Sequence, residues 1–176
     1  MTAKPAYSPK LAVAMLFLFT MTVALMPVVY NGCSGAKGGS VGLRGKYYRN
    51  AKWEGAPVDV QVDQTIDFDW SKSPPYPAPF SADWTGNVLI EQPGNYQFAL
   101  ISDDGSLVEI DGRVVVDATT VLLQKQTGAI ELPSGPHSIH VKYFNTLFGG
   151  SVRLFWTQPA RPEQIVPAEV LRPAGN

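Results

Sequence analysis

The hydrophobic pattern changes its rule once, near residue 40. From Leu11 to Tyr30 the chain reads LAVAMLFLFTMTVALMPVVY, twenty residues with no charge, and none appears before Lys37. At 1.5 Å of rise per residue such a segment makes about 30 Å of helix, the thickness of the hydrocarbon layer of a bilayer. Residues 11–30 are therefore read as a transmembrane helix, retained as a signal-anchor because the apolar stretch is longer than the core of a cleaved signal peptide. Lys4, Lys10 and the free amine place residues 1–10 in the cytoplasm, although Lys37, Arg44 and Lys46 on the far side weaken the asymmetry. NGCSGAKGGS, residues 31–40, reads as a flexible linker that keeps the C-terminal part of the chain close to the lipid bilayer.

From Val41 onward short apolar or alternating runs are broken by Gly, Pro, Asn and Asp, and no stretch keeps a 3.6-residue period long enough for a core helix. Leu43–Tyr48, Thr65–Phe68 and Asp83–Ile90 read as strands. In the next, Tyr96, Phe98, Leu100 and Ser102 line one face and Gln97, Ala99 and Ile101 the other. Ser106–Ile110 and Arg113–Asp117 are joined by Asp111-Gly112, the strongest two-residue hairpin signal. Gly135–Asn145 and Ser151–Trp156 repeat the alternation. The pattern predicts an all-β fold, an antiparallel β-sandwich or barrel of about eight or nine strands over residues 41–172, with 173–176 as a tail. Ser73–Phe80, SPPYPAPF, carries four prolines and must be a loop or polyproline-type segment.

Composition narrows the function. Lys4 and Lys10 are the basic residues before the apolar stretch, which leaves 12 basic against 15 acidic residues beyond it. Without a basic face, nucleic acid is excluded as a partner class, since phosphate neutralisation supplies most of that affinity. The single cysteine, Cys33, cannot form an internal bridge. Gly32-Cys33 resembles the end of a bacterial lipoprotein signal, but Tyr30 and Asn31 stand where that signal has small or aliphatic residues, so lipidation of Cys33 and simple secretory cleavage are the minor alternatives.

A run of short motifs then carries a resemblance. In order they are Gly42-Leu43 with Tyr47-Tyr48, Trp84-Thr85-Gly86, Gly94-Asn95-Tyr96-Gln97-Phe98, Ser102-Asp103-Asp104-Gly105-Ser106, Ile110-Asp111-Gly112, Gly135-Pro136-His137, Leu154-Phe155-Trp156 and Ile165-Val166-Pro167. Together they resemble the N-terminal domain family of anthrax protective antigen, a module that also occurs in glycosidases, other toxins and flocculin-type adhesins. The resemblance implies a lectin-like antiparallel sandwich with no catalytic centre of its own. In the adhesin branch it further implies calcium-dependent carbohydrate binding through two adjacent aspartates joined by a cis peptide, matched here by Asp103 and Asp104. Calcium takes six to eight oxygens, and neighbouring carboxylates are suitable hard ligands. The adhesin branch adds a loop ligand, typically asparagine. DATTVLLQKQT, residues 117–127, has none, so Asp117, Thr119 and Gln124 are the substitutes. The alternative is that Asp103-Asp104-Gly105 is a turn whose carboxylate satisfies backbone donors.

Other constellations point to binding and away from catalysis. No nucleophile elbow, zinc motif, Walker loop or dinucleotide loop is present. His137 and His140, three apart on one strand, face opposite sides and cannot share a metal. Of Trp53, Trp70, Trp84 and Trp156, Trp84 and Trp156 read as packing, while Trp70, beside the proline loop, is the candidate platform for a sugar ring. Leu147 and Phe148 fall at the tip of a predicted hairpin, Asn145–Gly150, and with outward Phe144 and Phe155 would form one exposed apolar patch for a protein partner. Tyr76 in the stiff Pro-Tyr-Pro segment is a second candidate contact. The reading is a membrane-anchored, extracytoplasmic, non-catalytic binding domain. It would be an accessory subunit on an integral membrane protein complex of the bacterial cytoplasmic membrane, with its C-terminal domain in the periplasm or outside the cell. The alternative is a calcium-dependent carbohydrate-binding module.

Overall fold

The computed structural model describes residues 40–120 and 123–175. The predicted transmembrane helix 11–30, the linker up to residue 39, Cys33, Val121 and Leu122 lie outside the described residues. Among the described residues no helix is long and apolar enough to cross a membrane.

The described part is all-β: two antiparallel sheets packed face to face, built from β1 (Leu43–Tyr48), β2 (Asp59–Asp63), β3 (Asp67–Asp69), β4 (Phe80–Ile90), β5 (Gly94–Asp103), β6 (Gly105–Ile110), β7 (Arg113–Asp117), β8 (Gln126–Leu132), β9 (Gly135–Asn145), β10 (Ser151–Thr157), β11 (Gln164–Ile165) and β12 (Leu171–Pro173). One sheet runs β2-β1-β4-β9-β6-β7 with β12 also on β4; the other runs β11-β10-β5-β8 with β3 also on β10. The strand count exceeds the expected one because short strands close the edges. β2 alternates polar and apolar residues but not burial, since four of its five residues are exposed and the buried one is Asp63, and the run expected at Thr65–Phe68 pairs as Asp67–Asp69 on Ser151–Arg153.

The long strands β4 and β9 form the spine of the larger sheet, paired from Phe80↔Asn145 to Ile90↔Gly135. Strict alternation sends Phe80, Ala82, Trp84, Val88 and Ile90 inward from one strand and Ile139, Val141 and Tyr143 from the other. They meet Tyr96, Phe98 and Leu100 of β5 and Val152, Leu154 and Trp156 of β10 in a single core. Trp84 lies at its centre, stacked on Phe68 at 5.7 Å and meeting Tyr47 edge-on at 6.0 Å.

One buried carboxylate organises this region. Asp63 Oδ2 accepts from the Tyr47 hydroxyl at 2.6 Å and the Trp84 indole N–H at 2.7 Å, and Oδ1 accepts from Gln61 at 2.7 Å. Burial, reinforced by the Asp63 charge, drives the Tyr47 phenol far above its ordinary pKa. Gly45 is required beside it, because a Cβ there would lie 2.5 Å from Asp63 Oδ2.

Candidate functional site

β5 belongs to the smaller sheet and β6 to the larger, so Asp103 and Asp104 occupy the step by which the chain crosses between sheets. The peptide bond between them is cis, as the resemblance implies. The Tyr143 hydroxyl donates to the Asp103 carbonyl from inside. Asp104 Oδ2 accepts from the Thr146 backbone N–H at 2.6 Å and from its hydroxyl at 2.5 Å. Burial, followed by the neighbouring Asp104 charge, holds the Asp103 carboxyl above the usual carboxylate range. The pair is thus two crowded negative groups, and neither forms a salt bridge among the described residues.

Asp103 opens onto a surface depression of about 330 Å³ on the outer face of the smaller sheet, lined by Asp69, Ile101, Leu123, Ser151 and Arg153 among others. Register explains the convergence. Ser151 of β10 stands opposite Asp69 of β3 on one side and Asp103 of β5 on the other, so the three form a row on one face. Arg153, one outward position along, is held by Asp67 at 3.3 Å. Hydrogen bonds from Ser71 and its backbone N–H keep the Asp69 carboxyl low and ionised. The sequence pattern marks none of Asp69, Ser151, Arg153 and Thr146 as a site residue. The outward alternation of β10 shows Ser151 and Arg153 to be surface residues, but their grouping with Asp69 depends on a long-range strand pairing that no local pattern carries.

The other expected site residues are dispersed. Asp117, on β7 of the larger sheet, spends Oδ1 on the Thr119 backbone N–H at 3.0 Å and its hydroxyl at 2.6 Å, and these bonds lower its pKa. Gln124 is exposed in the loop after it. Trp70 is not a sugar platform: it is buried, stacked on Phe68 at 4.6 Å and packed on Phe80 and Tyr143. Tyr76 is half-buried. Its ring lies against Tyr47 with the Arg49 guanidinium 5.4 Å above it, and its hydroxyl reaches Asp59.

The single apolar patch divides for a topological reason. Asn145–Gly150 is no hairpin but an arch from β9 in one sheet to β10 in the other. Phe144 and Phe155 therefore point outward from opposite faces of the sandwich, the first against Trp53 at 5.9 Å and the second under Lys125 at 5.1 Å. What remains is the arch tip, with Leu147 69% and Phe148 88% exposed. Buried Asn145 pins the arch from beneath, donating to the Phe148 carbonyl at 2.8 Å and accepting from the Leu147 N–H at 3.1 Å. The two histidines do face opposite ways: His137 is buried between Asp111 and the Pro133 carbonyl, while His140 bridges Asp83 and Glu109 on the outer face.

Calcium can be weighed against this donor set. Adjacent ionisable carboxylates with no cationic partner suit a hard divalent ion, and Asp103 and Asp104 are the residues that would hold it. Among the described residues no group of three or more His, Cys, Asp or Glu side chains gathers around one point, so the remaining oxygens would come from carbonyls, water or ligand.

The model of the PA14 domain matches residues 39–169. The chain belongs to the PA14 domain family. Among relatives of this PA14 domain, the anti-sigma-I factor RsgI3 of Acetivibrio thermocellus is 29% identical over 139 residues, covering 76% of this chain and 21% of that protein. A solved anti-sigma factor domain-containing protein from Clostridium clariflavum is 32% identical with a TM-score of 0.72, covering 77% of this chain and 48% of the other. A PA14 sugar-binding domain from an RTX adhesin shares the fold with a TM-score of 0.65 at 19% identity, over 77% of this chain and all of that one. The chain thus spans about half of the solved relative and about a fifth of the curated one.

Proposed function

We propose that this PA14 domain is a non-catalytic carbohydrate-binding module, held outside a bacterial cytoplasmic membrane by the apolar segment 11–30. The observation that carries the reading is the adjacent Asp103–Asp104 pair at the edge of a depression with polar donors, acceptors and apolar surface together. In it Asp69 and Asp103 would accept hydrogen bonds from sugar hydroxyls, the Arg153 guanidinium would donate to them, and Ser151 could do either. Ile101 and Leu123 offer apolar surface to the C–H face of a ring. Bound calcium would supply a centre to which vicinal hydroxyls coordinate. The fold shared with a sugar-binding domain of an adhesin supports this choice of ligand. The relatives named as anti-sigma factors support a binding role over a catalytic one.

A calorimetric titration of the full chain in mild detergent with calcium tests the metal step. One ion per chain and a raised Tm are expected, with both lost in Asp104→Ala. A flat titration of the unaltered protein would rule calcium out.

The exposed Leu147–Phe148 tip favours a second reading, in which the module docks as an accessory subunit on an integral membrane protein complex. Replacing Leu147 and Phe148 with Ser should then release the chain from its native membrane assembly on co-purification. If the double variant stays bound, docking through the arch is wrong while the sugar site is untouched.

A further inference from the structure

β5 carries a second feature at the end opposite its aspartates. Tyr96 and Asp103 are separated by about 24 Å of this strand, at ~3.4 Å per residue. Beside Tyr96 the end of the sandwich holds a cleft of about 80 Å³, walled by Tyr96 and Trp156 of the smaller sheet and Leu89 of the larger, and rimmed by Glu91, Gln158 and Arg161. Its geometry is built in. The Trp156 ring packs on Tyr96 at 5.5 Å, and the Tyr96 hydroxyl is fixed by donating to the Gln92 carbonyl at 2.8 Å. The loop after β10 crosses the rim: the Arg161 backbone N–H donates to the Gln158 carbonyl at 3.1 Å, and Pro159 fits against Gly94, where a Cβ would lie 2.9 Å from Pro159 Cγ.

The chemistry of the cleft selects its occupant. Trp156 is 2% exposed, and its indole N–H is a buried donor with no acceptor among the described residues, a costly state until an acceptor meets it. The rim carries one anionic and one cationic side chain, Glu91 and Arg161, and neither enters an ion pair among the described residues. Both bear on the cleft: burial raises the Tyr96 pKa and the Gln92 bond lowers it, while Glu91 adds to the rise and Arg161 opposes it. A lone anion would face Glu91, and a lone cation would face Arg161 and the indole. A neutral group with a carbonyl oxygen beside an N–H suits all three, the oxygen accepting from Trp156 and Arg161, the N–H donating to Glu91, and a methyl lying on Leu89. The volume is far below the ~300 Å³ at which small-molecule pockets begin, so one such group enters and the rest of the ligand stays outside. We propose that this cleft is a second binding site, which takes the acetamido group of an N-acetylated sugar. The sugar as carrier of that group rests on the carbohydrate reading above, whereas the site itself is separate from the aspartate pair.

The test follows the tryptophan indole signals of the isotope-labelled full chain in mild detergent by NMR during titration with N-acetyl-D-glucosamine. The Trp156 signal is assigned by its loss in Trp156→Phe or, where that variant does not fold, by its contact with the Tyr96 ring. It should move downfield with a Kd on the order of 10 mM, as fits one small anchored group. D-Glucose and D-glucosamine, which lack the acetyl group, should leave it in place. Arg161→Ala, at an exposed position, should weaken binding at least about fivefold. Asp104→Ala and calcium chelation should change nothing, so that failure of the aspartate site and failure of this one are read separately. The proposal is overturned if about 100 mM N-acetyl-D-glucosamine leaves the Trp156 signal unmoved, if D-glucosamine moves it as far, or if N-acetyl-glycinamide binds more tightly than the sugar. It is equally overturned if Arg161→Ala binds as the unaltered chain does or if Asp104→Ala abolishes the shift.

Discussion

Single aspartates do three different jobs in this domain, and neighbours decide which. Asp63 is structural: its carboxylate satisfies the buried Tyr47 hydroxyl and Trp84 indole. Asp63→Ala leaves both donors unpaired in the core and should cost about 3 kcal/mol or more in urea unfolding, at roughly 1–3 kcal/mol for each orphaned group. Asp117 closes a local turn on Thr119, and its replacement by Ala should leave glycan binding unchanged. Asp103, which opens onto the depression, and Asp104, which anchors Thr146, are the pair assigned to ligand. Trp70 illustrates the opposite error of reading an aromatic next to prolines as exposed. Trp70→Ala should destabilise the domain by about 3–5 kcal/mol, the usual cost of emptying a core site of that size, and any loss of sugar binding should only track unfolding.

At the scale of elements, the central strands β4, β9 and β6 are tied across their outer face by His140, which bridges Asp83 and Glu109. The hydrogen bond to Asp83 raises the His140 pKa, burial opposes it, the charge of Asp83 and the bond to Glu109 add to the rise, and Lys142 opposes it. For His137, burial lowers the pKa, but the bonds to Asp111 and the Pro133 carbonyl and the Asp111 charge outweigh it, so it too is raised. A raised folded-state pKa means that the protonated histidine favours the folded state. This stability is fully present below the ordinary histidine pKa of about 6.5 and is lost as pH rises through the folded value. Tm should fall by on the order of 3 °C from about pH 6 to about pH 8.5, and His140→Gln should flatten much of that slope. A Tm that rises over this range would contradict the assignment.

The strands that alternate strictly, such as β5, β9 and β10, were legible in sequence because each buries one face. β2 alternates in sequence as Asp-Val-Gln-Val-Asp, but on this edge strand the valines face solvent and Asp63 faces inward, so the alternation does not mark a buried apolar face. The aspartate pair was legible as a motif, while its surroundings were not. Asp69 and Ser151 join Asp103 only through cross-strand register, and the arch after Asn145 reads locally like a hairpin although its two strands belong to different sheets.

Across the whole described domain the two ends of the sandwich present two distinct sites. One carries the polar depression beside Asp103–Asp104, with the exposed Leu147–Phe148 tip on the arch that anchors Asp104; the other carries the cleft at Trp156 and Arg161. The core between them separates the two, so substitutions in the cleft should leave sugar binding at the aspartate pair unaltered, as distant sites act independently. Carbohydrate binding at the aspartate pair is tested most directly by retention of the full-length chain on a glycan array, in calcium and after chelation, beside Asp104→Ala. Retention on at least one glycan class is expected in calcium, lost on chelation and lost in Asp104→Ala. Retention on no glycan, or retention that Asp104→Ala and chelation both leave intact, would contradict a calcium-dependent sugar site.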